Sequence, residues 1–380
     1  MSAAAEGKAG APVRVMLCDD SPVARAALAR VLESDPEIHV VSRVGDGRRA
    51  LEALPAARPD VVLLDLEMPV MDGMTALPLL LGAEPRPAVI VASALTQRGA
   101  AAAMAALRAG AADYVPKPGA AAGGSADPAF RAELIAKVKG WARVRRRHAA
   151  HGSATAGSGT GAARPGPAAA RTPAFAPPRG ASAGPRAIAI GCSTGGPQAL
   201  AALVRRLVPP PPVPVLVVQH MPAGFTAMLA EHLNRLGGPP CAEARDGEAL
   251  HGGRLYVAPG DRHLVVEAGA TAGLTARLSD AAPENFCRPA VDPLLRSLVA
   301  ACGGSVLAVI LTGMGQDGLA GCRAVAAAGG QVLAQDEASS VVWGMPGAVS
   351  RAGLAGALLP PEGLGERIGV LAGSAGGRAA

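Results

Sequence analysis

Two α/β domains separated by a flexible linker is the fold class that the sequence predicts, and three observations predict it. The chain is 380 residues long, more than one ordinary domain needs. Short apolar runs alternate with helix-like stretches in two separate series, the pattern of parallel sheets covered by helices. Between the series, residues 148–186 are dominated by Gly, Ala, Pro, Ser and Arg with one Phe, and so bury too little surface to offset the entropy of ordering.

The first series sets strand candidates Val13–Cys18, Ile38–Val41, Val61–Leu64, Ala88–Val91 and Asp113–Val115 against helix candidates Val23–Leu32, Arg48–Leu54, Met74–Leu81, Ala101–Ala109 and Ala132–Arg146. Five repeats predict a doubly wound parallel sheet over residues 12–132. The linker is expected at 142–186 and a second α/β domain, its sheet mainly parallel, at 187–376. Its strand candidates are Ala187–Ile190, Val215–Val218, Leu255–Val257, Val306–Leu311 and Gln331–Ala334. Its helix candidates are Pro197–Leu207, Thr226–Leu236, Val291–Ala301 and Gly318–Ala328.

Composition narrows the function classes. Half the residues are hydrophobic, yet the aromatics number only four Phe, two Trp and two Tyr, so the cores are aliphatic. No apolar run approaches the ~18 residues of a membrane-spanning helix, and membrane insertion is not expected. The opening MSAAAEGKAGAPVRV lacks the apolar stretch of a secretion signal. Six scattered cysteines show no CxxC spacing, which predicts reduced thiols in the cytoplasm and no zinc. The net charge of +6 invites a DNA-binding reading. However, the segment from Lys137 to Arg186 holds two Lys, eight Arg and no acid, leaving the rest net acidic, and no helix-turn-helix pattern follows.

Ligands of an open parallel sheet collect at the carboxyl ends of its strands. In the first domain those ends carry Asp19-Asp20, Asp65, Ser93 and Lys117-Pro118. Singly, an Asp after a strand is an ordinary helix cap. Together, three carboxylates on one edge repel one another unless a hard cation such as Mg²⁺ sits among them. The ordered set, with the segment DLEMPVMDG around Asp65, resembles the receiver domain of two-component response regulators, a flavodoxin-like fold. The resemblance implies phosphorylation of Asp65 by a histidine kinase, Mg²⁺ held by Asp19, Asp20 and Asp65, Lys117 paired with the phosphate, and Ser93 with Tyr114 as the switch. It also implies a cis Lys117-Pro118 peptide.

In the second domain, AIAIGCSTGGPQAL runs from a strand through a Gly-rich turn to Pro197, a favoured first helical residue. Gly191–Gly195 fits G-x-S-x-G, which lifts a serine above a sheet and aims backbone amides at an anion. Such a turn serves equally to cradle a phosphate. Two later segments add to it: VLVVQH places His220, and VLAVILTGMGQDG places Asp317, just past strand ends. A serine hydroxyl becomes a good nucleophile when an imidazole takes its proton and a carboxylate fixes that imidazole. The chain order Ser…His…Asp is not that of the α/β-hydrolases. His232, His251 and His263 follow no apolar strand and are expected to face solvent. Cys192, ahead of the turn's centre, is expected to pack in the core.

The segments GCSTGGP, QHMPAGFT, VAPGD, RPAVDPL, LTGMGQDG and AQDEASSVVWGMP resemble the chemotaxis protein-glutamate methylesterase family over about residues 187–370. That resemblance implies hydrolysis of glutamate γ-methyl esters on chemoreceptors, releasing methanol, with deamidation of receptor glutamines beside it. It implies Ser193 as nucleophile, His220 as proton carrier, Asp317 as its orienter, and the backbone amides of Thr194 and Met314 as oxyanion donors. The esterase reaction itself calls for no cofactor. Two positions depart from the family pattern, Gln316 where Asn is usual and Cys287 where His is common. A receiver ahead of a hydrolase implies control, most simply by occlusion of the triad edge until Asp65 is phosphorylated and Ser93 and Tyr114 move inward.

Overall fold

In the computed structural model, residues 11–94, 96–117, 127–155, 184–269 and 273–373 are described. The chain forms two compact units. The first contains β1 (Val13–Cys18), α1 (Pro22–Leu32), β2 (Ile38–Val44), α2 (Gly47–Ala57), β3 (Val61–Asp65), α3 (Gly73–Leu81) and β4 (Ala88–Ser93). α4 (Gln97–Arg108), β5 (Asp113–Pro116) and α5 (Pro128–Thr155) follow in sequence. The five strands pair in parallel in the order β2-β1-β3-β4-β5. The order turns back at β1, so its carboxyl end and that of β3 bound a crevice.

Local chemistry sets the helix starts. Ser21 caps α1 by accepting the Ala24 amide, with Pro22 as first helical residue, while Asp46 and Asp72 cap α2 and α3 through the amides of Arg49 and Thr75. The side chains of Asp19 and Asp65 accept the amides of Ser21 and Glu67 rather than capping a helix. Leu134, Val138 and Ala142 of α5 lie in the core of the first sheet, so that domain continues past residue 132. The same helix runs to Thr155, so the expected linker start at 142 is too early. The remaining linker residues 156–183 and Pro118, with its expected cis bond, lie outside the described residues.

From residue 187 the chain runs through β6 (Ala187–Cys192), α6 (Gly196–Val204), β7 (Val215–Gln219), α7 (Phe225–Asn234), β8 (Cys241–Glu243), β9 (Ala249–Leu250) and β10 (Leu255–Val257). It continues through β11 (His263–Ala268), β12 (Leu274–Ser279), α8 (Val291–Cys302), β13 (Val306–Ile310), α9 (Leu319–Ala327) and β14 (Gln331–Gln335). α10 (Met345–Arg351), β15 (Ala357–Leu359) and α11 (Pro361–Gly373) complete it. Seven strands form one parallel sheet ordered β15-β14-β13-β6-β7-β10-β8. All five predicted strands are in it. A separate antiparallel sheet, β11-β12-β9, was not foreseen. The placement of β6 between β13 and β7 brings three functional segments to one edge.

Gly73 shows how tightly the first crevice is built. A Cβ there would collide with the Asp65 carbonyl oxygen and lie 2.8 Å from the Leu66 Cα, both backbone atoms with no rotamer to yield. Gly73→Ala should therefore destabilise the receiver-like unit by about 1–3 kcal/mol, read as a lowered urea midpoint of its unfolding transition; an unchanged midpoint would refute the close approach.

Candidate active site

Ser193 follows β6, and its amide donates to the Thr312 carbonyl at 3.0 Å. Thr312 Oγ1 donates to the Thr194 carbonyl at 2.9 Å, tying the turn to the segment after β13. Two glycines permit the approach. Gly195 takes φ +75° at the turn, and a Cβ on Gly313 would lie 2.8 Å from the Ser193 Cβ. His220 follows β7, and its amide donates to the Cys192 carbonyl at 3.1 Å, which sets Ser193 and His220 side by side.

The His220 imidazole Nε2 lies 2.7 Å from Asp317 Oδ2. Since β6 separates β7 from β13, this hydrogen bond spans the end of the strand that carries Ser193. Asp317 itself accepts from five donors: His220 Nε2, the amides of Val291, Asp292 and Gly318, and Asn285 Nδ2. Two of those amides open α8, where the helix dipole also favours a negative charge. Burial alone would raise the Asp317 carboxyl, but His220 and the amides outweigh it and hold it below the usual 3.8. Its neighbour Asp292, bridged to it by Asn285, is instead raised, first by burial. Burial lowers His220, but hydrogen bonds to Asp317 and Cys287 reverse this and carry its pKa to about 10.

The structure thus brings His220 and Asp317 into contact and places Ser193 beside them. Among the described residues, Ser193 Oγ has no hydrogen-bond partner, and the second imidazole nitrogen, Nδ1, faces Cys287 Sγ at 3.4 Å. The Thr194 and Met314 amides donate to no described residue. Cys192 is fully buried, as expected, and burial pushes its thiol far up. His251 is exposed as expected, but His232 and His263 are buried. His263 is held by the Ala290 amide and the Ala282 carbonyl, a structural role that its place at the start of β11 explains. Asn285 and the α8 amides were not foreseen as site residues. The sequence signal for the amides is Pro289 shortly before a helical run; Asn285 gives none.

On the other sheet, Lys117 Nζ sits 2.6 Å from Asp65 Oδ2 and 3.0 Å from Asp19 Oδ2. The carboxylates of Asp19, Asp20 and Asp65 lie within 4.8 Å of one another. Burial raises the Asp65 carboxyl despite Lys117, while Lys117, between two carboxylates, is raised. Asp19 Oδ2 is buried without a hydrogen-bond partner of good geometry. This all-oxygen set fits a hard divalent cation. Ser93 and Tyr114 are both already buried, so the inward movement expected of them is not needed to bury either side chain.

Residues 188–368 match the family described as CheB methylesterase, and residues 15–123 match the response regulator receiver domain. The chain is 50% identical over 368 residues to a protein-glutamate methylesterase/protein-glutamine glutaminase of Azospirillum brasilense, covering 94% of this chain and 92% of the relative. It is 49% identical over 372 residues to one of a group 2 operon in Rhodospirillum centenum, covering 94% and 93%. The crystal structure of the Thermotoga maritima CheB methylesterase catalytic domain shares 40% identity over 49% of this chain and 98% of that chain, with a TM-score of 0.48. Among the described residues, no helix is long and apolar enough to cross a membrane.

The His220 environment has a measurable sign. A raised folded pKa contributes stability that is fully present below about 6.5, the ordinary value, and is lost as pH rises towards about 10. The stability gap between the wild type and His220→Gln should therefore narrow across that window in urea titrations. A gap that widens with pH would contradict the clamp on the imidazole.

Proposed function

Because the chain belongs to the CheB-type protein-glutamate methylesterase/protein-glutamine glutaminase family and carries a response regulator receiver domain, we propose that it removes methyl groups from glutamate γ-esters of chemoreceptors by a Ser193–His220–Asp317 triad under phosphorylation control. The observation that carries this reading is the His220–Asp317 hydrogen bond over the strand end at Ser193.

Ser193 Oγ attacks the ester carbonyl while His220 takes its proton at Nδ1. Asp317 holds the ring through Nε2 and offsets its charge. The carbonyl oxygen, now an anion, is met by the Thr194 and Met314 amides. Collapse expels methanol, which leaves with the proton from His220. Water, deprotonated by the same imidazole, then cleaves the acyl-serine and frees the glutamate carboxylate. A primary amide passes through the same steps and releases ammonia, which accounts for the glutaminase activity of the family.

In the receiver, Asp65 accepts a phosphoryl group from a histidine kinase, and Asp19, Asp20 and Asp65 would hold Mg²⁺, which when bound supplies positive charge against the phosphoryl oxygens. Lys117, already poised on Asp65, pairs with the new phosphate, and Ser93 with Tyr114 relays the change. The output is a faster esterase reaction.

Ser193→Ala should lower methanol release from methylated receptor membranes by at least about a thousandfold while Asp65 still takes up phosphate from a small-molecule phosphodonor. A phosphate-binding role for the Gly-rich turn would leave methanol release nearly intact. Asp65→Asn should abolish the stimulation of methanol release by the phosphodonor and keep the unstimulated rate; stimulation that persists in Asp65→Asn would place control elsewhere.

A further inference from the structure

The imidazole of His220 has two nitrogens, and both are engaged. Nε2 is bound to Asp317 at 2.7 Å, and Nδ1 lies 3.4 Å from Cys287 Sγ. As a charged ring His220 donates from Nδ1 to the sulfur, and as a neutral ring it accepts the thiol proton there. In either form the nitrogen that Ser193 must use is taken, and Ser193 Oγ stands unpartnered among the described residues.

Cys287 is well anchored for this. It closes a turn in which the amides of Glu284 and Cys287 each donate to the other's carbonyl, and Glu284 is held by both terminal nitrogens of Arg296 at 2.6 Å. Asn285 of the same turn grips Asp317. Asn285 and Phe286 adopt left-handed backbone, φ 53° and 62°, a conformation that non-glycine side chains hold only when the surroundings impose it. Of the six cysteines, Cys287 is the one that is not buried.

We propose that Cys287 is a positioning residue that holds His220 Nδ1 away from Ser193 until an ester occupies the site. This rests on the esterase reading above. Burial acts against the charged form of His220, and the groups that face its two nitrogens are Asp317 and Cys287; Asp292 and Glu284 interact with Asp317.

The test compares the full-length wild type with Cys287→Ala and Cys287→Ser, reading the rate at which a fluorophosphonate labels Ser193 and the pH profile of kcat/KM for methanol release. Cys287→Ala should label about fivefold faster, the factor of one released neutral hydrogen bond, and its acid limb should move to lower pH because the sulfur no longer supports the charged ring. Cys287→Ser, which keeps a hydroxyl at this position, should return both readouts towards wild type. Labelling within twofold of wild type together with an unmoved acid limb in Cys287→Ala overturns the proposal, as does slower labelling with an unmoved limb, which marks a packing role. If Cys287→Ala does not fold, the decision passes to Cys287→Ser, where labelling slower than wild type with an unmoved limb overturns it. Failure of wild-type Ser193 to label at all would instead sink the esterase reading.

Discussion

The site depends on one buried carboxylate being held still and kept charged. Asp317 has left water, and burial by itself would raise its carboxyl above the usual range. Five donors reverse that outcome, and most are backbone amides whose positions are set by the fold. Asp317, once fixed, orients the imidazole of His220 through the bond to Nε2. The neighbouring Asp292 shows the alternative: burial, with the charges of Asp317 and Glu284 beside it, raises its carboxyl although Gly321 and Asn285 donate to it.

The topology makes that arrangement reachable. Three parallel strands that are neighbours in space but distant in sequence end at the same edge, with the serine strand in the middle. A parallel sheet aligns its carboxyl ends and leaves them bare of hairpins. The side chains of His220 and Asp317 meet there, and the backbone bond from His220 to Cys192 sets Ser193 beside them, without any long excursion of the chain. The receiver uses the same device at a smaller scale, where Asp19, Asp65 and Lys117 converge from the ends of β1, β3 and β5.

Much of this was legible in the sequence because short apolar runs mark buried parallel strands and the residues just after them mark the functional edge. The central strands of both sheets are legible in that way, as are Asp19, Asp65 and Lys117 on one edge and His220 and Asp317 on the other. The sequence was silent where the signal is not periodic. β11 and β12 alternate partly exposed residues and carry little apolar contrast, so the antiparallel sheet was missed. Asn285 belongs to no motif and acts through a left-handed turn, which no pattern of side-chain types reveals. Arg-rich chain with Gly and Ala reads as linker, so the sequence ends α5 earlier than the structure does, where Leu134, Val138 and Ala142 anchor the helix in the core. His263 and His232 were expected at the surface because a lone histidine carries no burial signal of its own.

Val291 is packed so closely over β6 that a Cβ on Gly191 would lie 2.6 Å from one of its methyls, and the amide of the same residue donates to Asp317. One residue therefore belongs at once to the hydrophobic floor and to the donor set that holds Asp317. Errors in how the aliphatic interior fits together would be transmitted directly into chemistry, so a variant deep in the interior could silence the enzyme while leaving every reactive side chain in place.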